Sequence, residues 1–289
     1  MSNRRLTCAL AAGIAAGAVA VWLVGTKLVS GTYYAIPAAG PDTPTVSLVT
    51  AAKQPVEGWL MRGAGKGAVL LLHGVRADRR QMLARARFLQ GAGYSVLLID
   101  LPGHGASPAP AITFGLKEAH AVKAALDYLR QRYPTQRLGV IGVSLGAASY
   151  VLCTDCPRVD AVVLESMYPT IEEAVEDRLR MRLGFLALPL SKLLLWQLPL
   201  RLDIEPEQLR PIERMQQLDA PLLLASGDQD RHTTIAETRR IFAAARDNKQ
   251  LWEVAGAAHV DLHRFTPQQY ERRITAFLSR HLAPPRPAP

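Results

Sequence analysis

Short apolar runs alternate with helical stretches from residue 68 to the C-terminus, and this alternation is the strongest constraint on the fold. Residues 68–72 are apolar at every position, as in a strand that is buried on both faces of a parallel sheet. Similar runs recur at 95–99, 138–143, 161–164, 221–225 and 251–254, with helical patterns at 79–90, 116–132, 145–152, 235–245 and 267–281. The pattern predicts a mainly parallel, doubly wound α/β sheet. Two alternating runs at 46–50 and 56–61 predict antiparallel strands ahead of it.

One segment interrupts the alternation. Residues 168–218 show no strand pattern and carry leucine-rich helical patches instead. An insertion of this kind between two strands predicts a helical cap. It either lines an apolar substrate cleft or touches a membrane, or it is a helical subdomain that completes the core. Arg180, Arg182 and Lys192 interrupt its apolar runs, which argues against a second transmembrane helix.

The N-terminus has the pattern of a membrane segment. Arg4 and Arg5 precede an uncharged run from Leu6 to Val24, and Lys27 follows it. Such a run is long enough to span a bilayer, since about 20 apolar residues suffice. The leading arginines predict that the N-terminus stays inside and the rest is translocated. A cleaved signal peptide, giving a secreted protein, is the alternative, but no small-x-small cleavage pattern follows the run.

These patterns divide the chain into three parts. Residues 1–32 are predicted to be a membrane anchor or signal segment, residues 33–45 a linker, and residues 46–289 a folded domain with its cap at about 168–218. The apolar fraction of 49% and the charged fraction of 20% are those of a globular protein, so the bulk of the chain is not disordered. We expect the domain on the extracytoplasmic side, which is the periplasm in a Gram-negative cell.

Charge and cysteine content exclude several classes of protein. The net charge is +9, but no helix-turn-helix, zinc-finger or aromatic RNA-binding motif accompanies it, which argues against nucleic acid as a partner. The basic excess fits an anionic membrane surface or a solvated face. Cys8, Cys153 and Cys156 lack the second ligand pair of a zinc site, so we expect neither a metal nor a cofactor. Cys153 and Cys156 are spaced for a disulfide in an oxidising compartment, or they are two free thiols at a helix end.

A candidate nucleophile lies between a predicted strand and a predicted helix. The segment Gly142-Val143-Ser144-Leu145-Gly146 places a serine between two glycines at this junction. Glycine at both positions permits a very tight turn that pushes the hydroxyl out of the sheet. The turn also puts Ser144 at a helix N-terminus, where backbone N–H groups favour a developing negative charge.

A serine hydroxyl is a weak nucleophile near neutral pH, so Ser144 needs a base and the base needs an orienting group. Asp228 and Asp230 follow the run 221–225, and His259 follows the run 251–254. In a parallel sheet these loops leave the same edge as the Ser144 turn. The candidate order along the chain is therefore Ser, Asp, His, with either aspartate in the middle position.

Together, these motifs resemble the α/β-hydrolase family from about residue 56 to the last helix. Further matches are Leu72-His73-Gly74 and the D-x-x-G-H-G-x-S segment from Asp100 to Ser107. The resemblance implies that Ser144 is the nucleophile, His259 the general base and acid, and Asp230 the orienting acid, because the family's G-x-x-D loop counts from Gly227; Asp228 is the alternative acid. It also implies an oxyanion hole made of the backbone N–H groups of Val75 and Leu145.

Other histidines and serines receive structural interpretations. His73 and His104 lie in family loops where they support the backbone, and Asp261 is interpreted in the same way. Ser166 has no flanking glycines and is a weak rival to Ser144. The remaining histidines have no partner by position and are interpreted as surface or packing residues, namely His120, His232, His263 and His281.

The resemblance is greatest to the group that includes monoglyceride lipases and serine aminopeptidases. Together with the predicted N-terminal anchor, the resemblance implies a membrane-anchored serine hydrolase that cleaves a small-molecule ester or thioester with an apolar acyl group through an acyl-enzyme. A peptidase or amidase is the alternative, which would need a cap carboxylate to hold a substrate amine. The candidates for that carboxylate are Glu172, Glu173, Glu176 and Asp177. A binding protein without catalysis is the third possibility, against which the intact serine, histidine and aspartate argue.

Overall fold

The apolar runs form one eight-stranded sheet with the strand order β1-β2-β4-β3-β5-β6-β7-β8. The computed structural model describes residues 2–40 and 43–282. Strands β1 and β2 pair antiparallel, as do β2 and β4, and every other pairing is parallel. The prediction of a mainly parallel α/β sheet with an antiparallel start is confirmed. The strands are β1 Thr45–Val49, β2 Pro55–Met61, β3 Ala68–Leu72, β4 Ser95–Ile99, β5 Leu138–Val143, β6 Ala161–Glu165, β7 Leu222–Gly227 and β8 Lys249–Val254.

Helices cover both faces of the sheet. They are α1 Ser2–Val29, α2 Leu83–Gly91, α3 Glu118–Arg132, α4 Leu145–Val151, α5 Ile171–Leu183, α6 Ala187–Leu195, α7 Gln197–Leu202, α8 Ile235–Ala244, α9 Leu262–Phe265 and α10 Pro267–Leu282. Shorter 3-10 turns lie at Arg79–Met82, Gly184–Leu186, Pro206–Leu209 and Pro211–Gln217. The predicted helices thus recur with small shifts at their ends.

Strand β3 shows how the sheet divides the core. Its residues are all buried, and successive side chains point to opposite faces. Leu70 and Leu72 pack into the layer that contains α3 and α4. Val69 and Leu71 pack into the layer that contains α2 and α10. A strand buried on both faces reads as a continuous apolar run, and each fully buried leucine contributes about 1.5–3 kcal/mol.

The segment between β6 and β7 forms the helical cap, with α5, α6 and α7 and a small apolar cluster of its own. The stretch Ile171–Leu202 is long and apolar enough to cross a membrane. Gly184, however, ends α5 with a positive φ of 55°, so the stretch is bent into separate helices. Several of its large apolar side chains face outward, and Phe185 is 91% exposed.

The N-terminal helix α1 contains the second such stretch, Ala11–Val29, with a mean hydropathy of 1.7 and almost no burial. Signal sequences and membrane spans both have this character. The side chains of Arg4, Arg5 and Cys8, which entered the N-terminal predictions, lie outside the described part of the chain. Residues 41–42 of the predicted linker and residues 283–289 of the predicted domain also lie outside it.

Cys153 and Cys156 form a disulfide just after α4. The two residues are three positions apart in sequence, so the bond closes one short turn. Of the two states left open by the sequence, the structure has the bonded one.

Candidate active site

The loops that carry the predicted site residues leave one edge of the sheet. Ser144 follows β5, Asp228 and Asp230 follow β7, and His259 follows β8. These strands are parallel neighbours in the order β5-β6-β7-β8, so their carboxyl ends meet at this edge. The loop after β3 joins them, because a Cβ placed on Gly74 would lie 3.7 Å from the Cβ of Ser144.

Ser144 occupies a strained turn. Its φ of 49° and ψ of −108° are outside the regions that non-glycine residues favour, a conformation that costs about 1–3 kcal/mol. The Ser144 N–H donates to the carbonyl of Glu165 at 2.8 Å, which fixes the turn to the end of β6. The residue is only 5% exposed and lies directly before the first residue of α4.

The flanking glycines have a steric cause. A Cβ on Gly142 would lie 2.7 Å from the Cα of Ala147, and a Cβ on Gly146 would lie 2.5 Å from the carbonyl oxygen of Leu72. Both neighbours belong to the backbone, which moves only together with the sheet or the helix. Glycine is therefore required on both sides of the serine.

We predict that Gly146→Ala lowers both stability and activity. The added methyl group displaces α4 from β3, and a displacement of about 1 Å at a catalytic group costs on the order of 100-fold in rate. Gly91→Ala is the matched control, because a Cβ at Gly91 meets nothing within 4 Å. Thermal melting and ester hydrolysis measure the two effects. A Gly146→Ala protein with the melting temperature and kcat of the wild type would contradict this packing.

His259 and Asp230 are directly bonded. The Nδ1 atom of His259 lies 2.7 Å from Oδ2 of Asp230. The other carboxylate oxygen, Oδ1, accepts the backbone N–H groups of His232 at 2.8 Å and Thr233 at 3.0 Å. Because an ionised carboxylate only accepts hydrogen bonds, Nδ1 carries the proton and the Nε2 lone pair of His259 is left as the base.

Asp230 stays ionised in this setting. Burial raises the pKa of its carboxyl group, but the hydrogen bond and electrostatic interaction with His259 and the N–H groups of Thr233 and His232 outweigh burial and hold the pKa below its ordinary value. Asp228 instead accepts the N–H of Gly256 at 2.8 Å, which ties the β7 loop to the β8 loop. The structure thus brings Asp230, and not Asp228, to His259.

The loop after β3 is held in a definite conformation. The buried His73 donates from Nδ1 to the carbonyl of Gly74 at 2.7 Å and accepts the N–H of Leu101 at Nε2 at 3.0 Å. Burial lowers the pKa of His73 to about 4, so the ring is neutral, as this pairing requires. Oε1 of Gln81 accepts the N–H of Gly74 at 2.8 Å. The sequence interpretation of His73 as a support for the backbone agrees with these bonds.

Two backbone N–H groups at this edge have no acceptor within the described residues. They belong to Val75, which follows Gly74, and to Leu145, which follows Ser144. A buried or half-buried N–H without a partner is uncommon, and at a helix N-terminus it is available to an anion. These are the two groups that the sequence assigned to an oxyanion hole.

His232 contacts His259, a pairing that the sequence did not indicate. Its ring stacks on His259 with 4.7 Å between ring centroids and 25° between ring planes. Burial lowers the pKa of His232, and the electrostatic interactions with His259 and with the positive charge of Arg178 in the cap act in the same direction. The turn in which Asp230 accepts the N–H groups of His232 and Thr233 brings the two rings together. The sequence analysis interpreted His232 as a surface or packing residue and did not indicate this partner.

A buried ion pair network connects the serine turn with the histidine loop. The guanidinium of Arg85 contacts Glu165 at 2.8 Å and Asp261 at 2.8 Å, and its Nε donates to the hydroxyl of Tyr270 at 3.0 Å. Glu165 also accepts the N–H of Ser144 through its carbonyl. Arg85 therefore fixes Asp261, two residues after His259, relative to the serine turn. Arg85 lies on α2 among other arginines, so the sequence alone did not indicate that it is buried and paired.

Ser166, the rival serine, also has a positive φ, of 47°. It is 3% exposed, and its N–H donates to the carbonyl of Ala225 at 2.8 Å. Among the described residues its hydroxyl has no hydrogen-bond partner, and so no base.

Comparison with known proteins agrees with this fold. Residues 69–273 match the Alpha/beta hydrolase family. Two uncharacterized proteins of Mycobacterium tuberculosis, one from each of two strains, are each 30% identical to the chain over 269 residues, which cover 88% of this chain and 87% of theirs. The chain belongs to the alpha/beta hydrolase family and is an enzyme.

Solved structures show the same architecture. The esterase Pf2001 of Pyrococcus furiosus superposes with a TM-score of 0.73 at 23% identity, covering 89% of this chain and 99% of its own. A structure described as a bacterial membrane phospholipase A superposes with a TM-score of 0.60 at 20% identity, covering 96% of this chain and 98% of its own. At these identities the likeness is one of fold.

Proposed function

We propose that the protein is a membrane-anchored serine hydrolase that cleaves an ester or thioester of an apolar acyl compound through an acyl-enzyme. The observation that carries the proposal is the 2.7 Å bond between His259 and Asp230 at the sheet edge where Ser144 occupies its strained turn. Ser144 is the nucleophile, His259 the general base and acid, and Asp230 the group that orients His259. The N–H groups of Val75 and Leu145 form the oxyanion hole.

Acylation follows from these roles. The Ser144 Oγ attacks the carbonyl carbon while Nε2 of His259 takes the hydroxyl proton. The carbonyl oxygen becomes an oxyanion that accepts the N–H groups of Val75 and Leu145. When the tetrahedral intermediate collapses, the bond to the leaving oxygen or sulfur breaks and His259 returns the proton to it. The acyl group remains as an ester on Ser144.

Deacylation repeats the sequence with water. Nε2 of His259 takes a proton from a water molecule, and the resulting hydroxide attacks the acyl carbon. The second oxyanion occupies the same two N–H groups. Collapse breaks the bond to Ser144 and the proton returns to Oγ, which releases the carboxylic acid and restores the enzyme. Asp230, ionised throughout, stabilises the imidazolium that forms in each half.

The cap supports an apolar substrate. Leucines form its internal cluster, and the outward side chains of Phe185, Leu188 and Trp196 are at least half exposed. Exposed apolar side chains in this number are typical of a lipid or interaction surface. Two proteins with the same fold, the Pyrococcus furiosus esterase and the bacterial membrane phospholipase A, support the same substrate class.

The cap carboxylates do not support the peptidase alternative. Glu172 is paired with Arg210, Glu173 with Arg240 and Glu176 with Arg180. Burial and the neighbouring Glu237 raise the pKa of Asp177 to about 7, so this carboxyl group holds a negative charge poorly near neutral pH. A substrate ammonium group would compete with an arginine at each of the three glutamates, and at Asp177 it would meet a carboxyl group that is only partly ionised near neutral pH.

The membrane assignment rests on α1 and on the disulfide. The apolar stretch Ala11–Val29 acts as a retained anchor with the catalytic domain outside the cytoplasm. A disulfide between Cys153 and Cys156 persists in an oxidising compartment such as the periplasm. In this proposal the cap, which contacts α1 through Gln197 and Arg201, lies near the bilayer from which an acyl substrate would come.

The experiment uses the full chain in detergent micelles. We expect labelling by a fluorophosphonate probe, hydrolysis of esters with a preference for longer acyl chains, and little cleavage of aminoacyl amides. Absence of labelling in the folded protein would overturn the triad. Cleavage of aminoacyl amides without cleavage of acyl esters would overturn the substrate class and favour the peptidase.

A further inference from the structure

The C-terminal end of α1 is bonded to the catalytic domain. The last carbonyl groups of a helix lack donors within the helix and need partners elsewhere. Here the Arg76 guanidinium donates to the carbonyls of Lys27 at 2.5 Å and Leu28 at 3.1 Å, and the N–H of Ile112 donates to the carbonyl of Val29 at 2.8 Å. A cation at this end also interacts favourably with the helix dipole.

The cap grips the same helix further from its end. Arg201 donates to Oγ1 of Thr26 at 2.9 Å, and its guanidinium lies 3.8 Å from the centroid of the Trp22 ring. Gln197 donates to the carbonyl of Val21 at 3.2 Å. The crossing is close at Gly25, where a Cβ would lie 2.2 Å from Oε1 of Gln197.

The chain after α1 continues the attachment. The N–H of Thr32 donates to the carbonyl of Gly103 at 2.9 Å, and that of Tyr34 donates to the carbonyl of Gly105 at 2.9 Å. The Tyr34 hydroxyl donates to Asp78 at 2.6 Å. Thr32, at the end of the predicted anchor segment, and Tyr34, in the predicted linker, thus bond to the loop at 103–105 and to Asp78, three residues after Val75.

Arg76 is adjacent in sequence to Val75, whose N–H is the proposed oxyanion donor. Its φ of 57° is left-handed, a conformation that costs a non-glycine residue on the order of 1–3 kcal/mol and persists only where other contacts hold it. On the other side of Val75, Gly74 is fixed by His73 and Gln81. On this side, the side-chain bonds of Arg76 go to the end of α1.

We infer that Arg76 is a positioning residue that couples the docked end of α1 to the oxyanion hole. The guanidinium holds Arg76 in its left-handed conformation, which fixes the peptide group between Val75 and Arg76. With Gly74 fixed on the other side, the backbone of Val75 is restrained at both ends, and so is the direction of its N–H. The inference rests on the proposed function, since it assigns a purpose to the Val75 N–H. It makes α1 a component of the active enzyme and not a removable signal.

The test is the Arg76→Asn variant of the full chain in micelles. Asparagine tolerates a positive φ but cannot reach the helix carbonyls. We expect kcat for ester hydrolysis to fall about 10- to 100-fold with KM nearly unchanged, because a displaced oxyanion donor acts in the transition state. Arg76→Lys, which keeps one donor, should recover part of the loss. Arg87→Asn, at an exposed arginine on α2, is the control for charge and should match the wild type.

A specific readout separates this role from general support of the fold. Thionoester substrates replace the oxyanion by a larger sulfur that fits the hole poorly, so an intact hole favours the oxygen ester. The ratio of the two rates should fall in Arg76→Asn while the melting temperature stays near that of the wild type. A loss of kcat with an unchanged ratio would overturn the inference, as would a kcat equal to that of the wild type.

The helix side offers a second variant. Gly25→Leu forces Gln197 away from α1 without touching the sheet edge. We expect it to lower kcat in the same direction, and the loss in the double variant with Arg76→Asn to be smaller than the two single losses combined. Fully additive losses would overturn the coupling. Failure of the proposed function would look different, because the wild type itself would then not react with a fluorophosphonate.

Discussion

Ser144→Ala is expected to lower kcat for ester hydrolysis about a million-fold, the loss that follows removal of a triad nucleophile in serine hydrolases. The residual rate would come from the oxyanion hole and substrate binding alone. The fold should survive, because the Ser144 N–H and not its hydroxyl makes the bond to Glu165. Alanine keeps that N–H and adds no volume. Hydrolysis of a chromogenic ester and fluorophosphonate labelling measure the effect.

Ser166→Ala is the matched control for this experiment. Ser166 also follows a strand, is buried and has a positive φ, so it reproduces the backbone strain at Ser144. It differs in having no glycine turn and no base. We expect its kcat to stay within about threefold of the wild type, the scatter of an ordinary substitution. Equal labelling of Ser144→Ala and the wild type would contradict the assignment of the nucleophile.

The fold and the candidate triad were accessible from the sequence because their signals are local. A strand buried on both faces has to be apolar throughout, and residues 68–72 are. The glycines at 142 and 146 have a steric cause that a five-residue pattern carries completely. The order of strands in a parallel sheet then places the loops that carry Ser144 and His259 at the same edge without any knowledge of side-chain geometry.

The supporting contacts were not accessible, since they join segments that are distant in sequence. Arg76 and Lys27 are 49 residues apart, and Arg85 and Asp261 are 176 residues apart. A single arginine in a helix pattern resembles any solvated arginine until the fold brings a carboxylate or a helix end to it. His232 was missed for a similar reason, because its contact with His259 depends on a turn that Asp230 closes with two backbone bonds.

The structure assigns partners to several of the arginines that make up the excess positive charge. The basic excess of the sequence suggested a membrane surface or a solvated face. Several of these arginines instead have internal partners: Arg85 is fully buried, Arg76 caps α1 and Arg201 packs on Trp22. Part of the positive charge therefore stabilises the folded domain, and another part attaches the N-terminal helix to it.

Asp230→Asn and Asp228→Asn each replace one carboxylate oxygen by an amide nitrogen. Comparing the two variants shows which aspartate orients His259, a choice that the sequence left open. We expect Asp230→Asn to lower kcat about 10,000-fold, as in serine proteases with the same substitution. An asparagine can donate to Nδ1 of His259, which moves the ring proton to Nε2 and removes the base. Its Oδ1 still accepts the N–H groups of His232 and Thr233, so the melting temperature should change little.

Asp228→Asn is expected to retain kcat within a few-fold of the wild type, because the amide oxygen of the substituted side chain accepts the Gly256 N–H as the carboxylate does. The pH profile adds a second criterion. In the wild type, the pKa of Asp230 lies below its ordinary value, so the carboxylate stays ionised as the pH falls through that ordinary value, and the activity that depends on the ionised carboxylate is lost only at lower pH. Asp228→Asn should keep this profile. If Asp228→Asn instead produced the large loss and Asp230→Asn did not, the bond between Asp230 and His259 would be structural, and the β7 loop would supply its acid from the other aspartate.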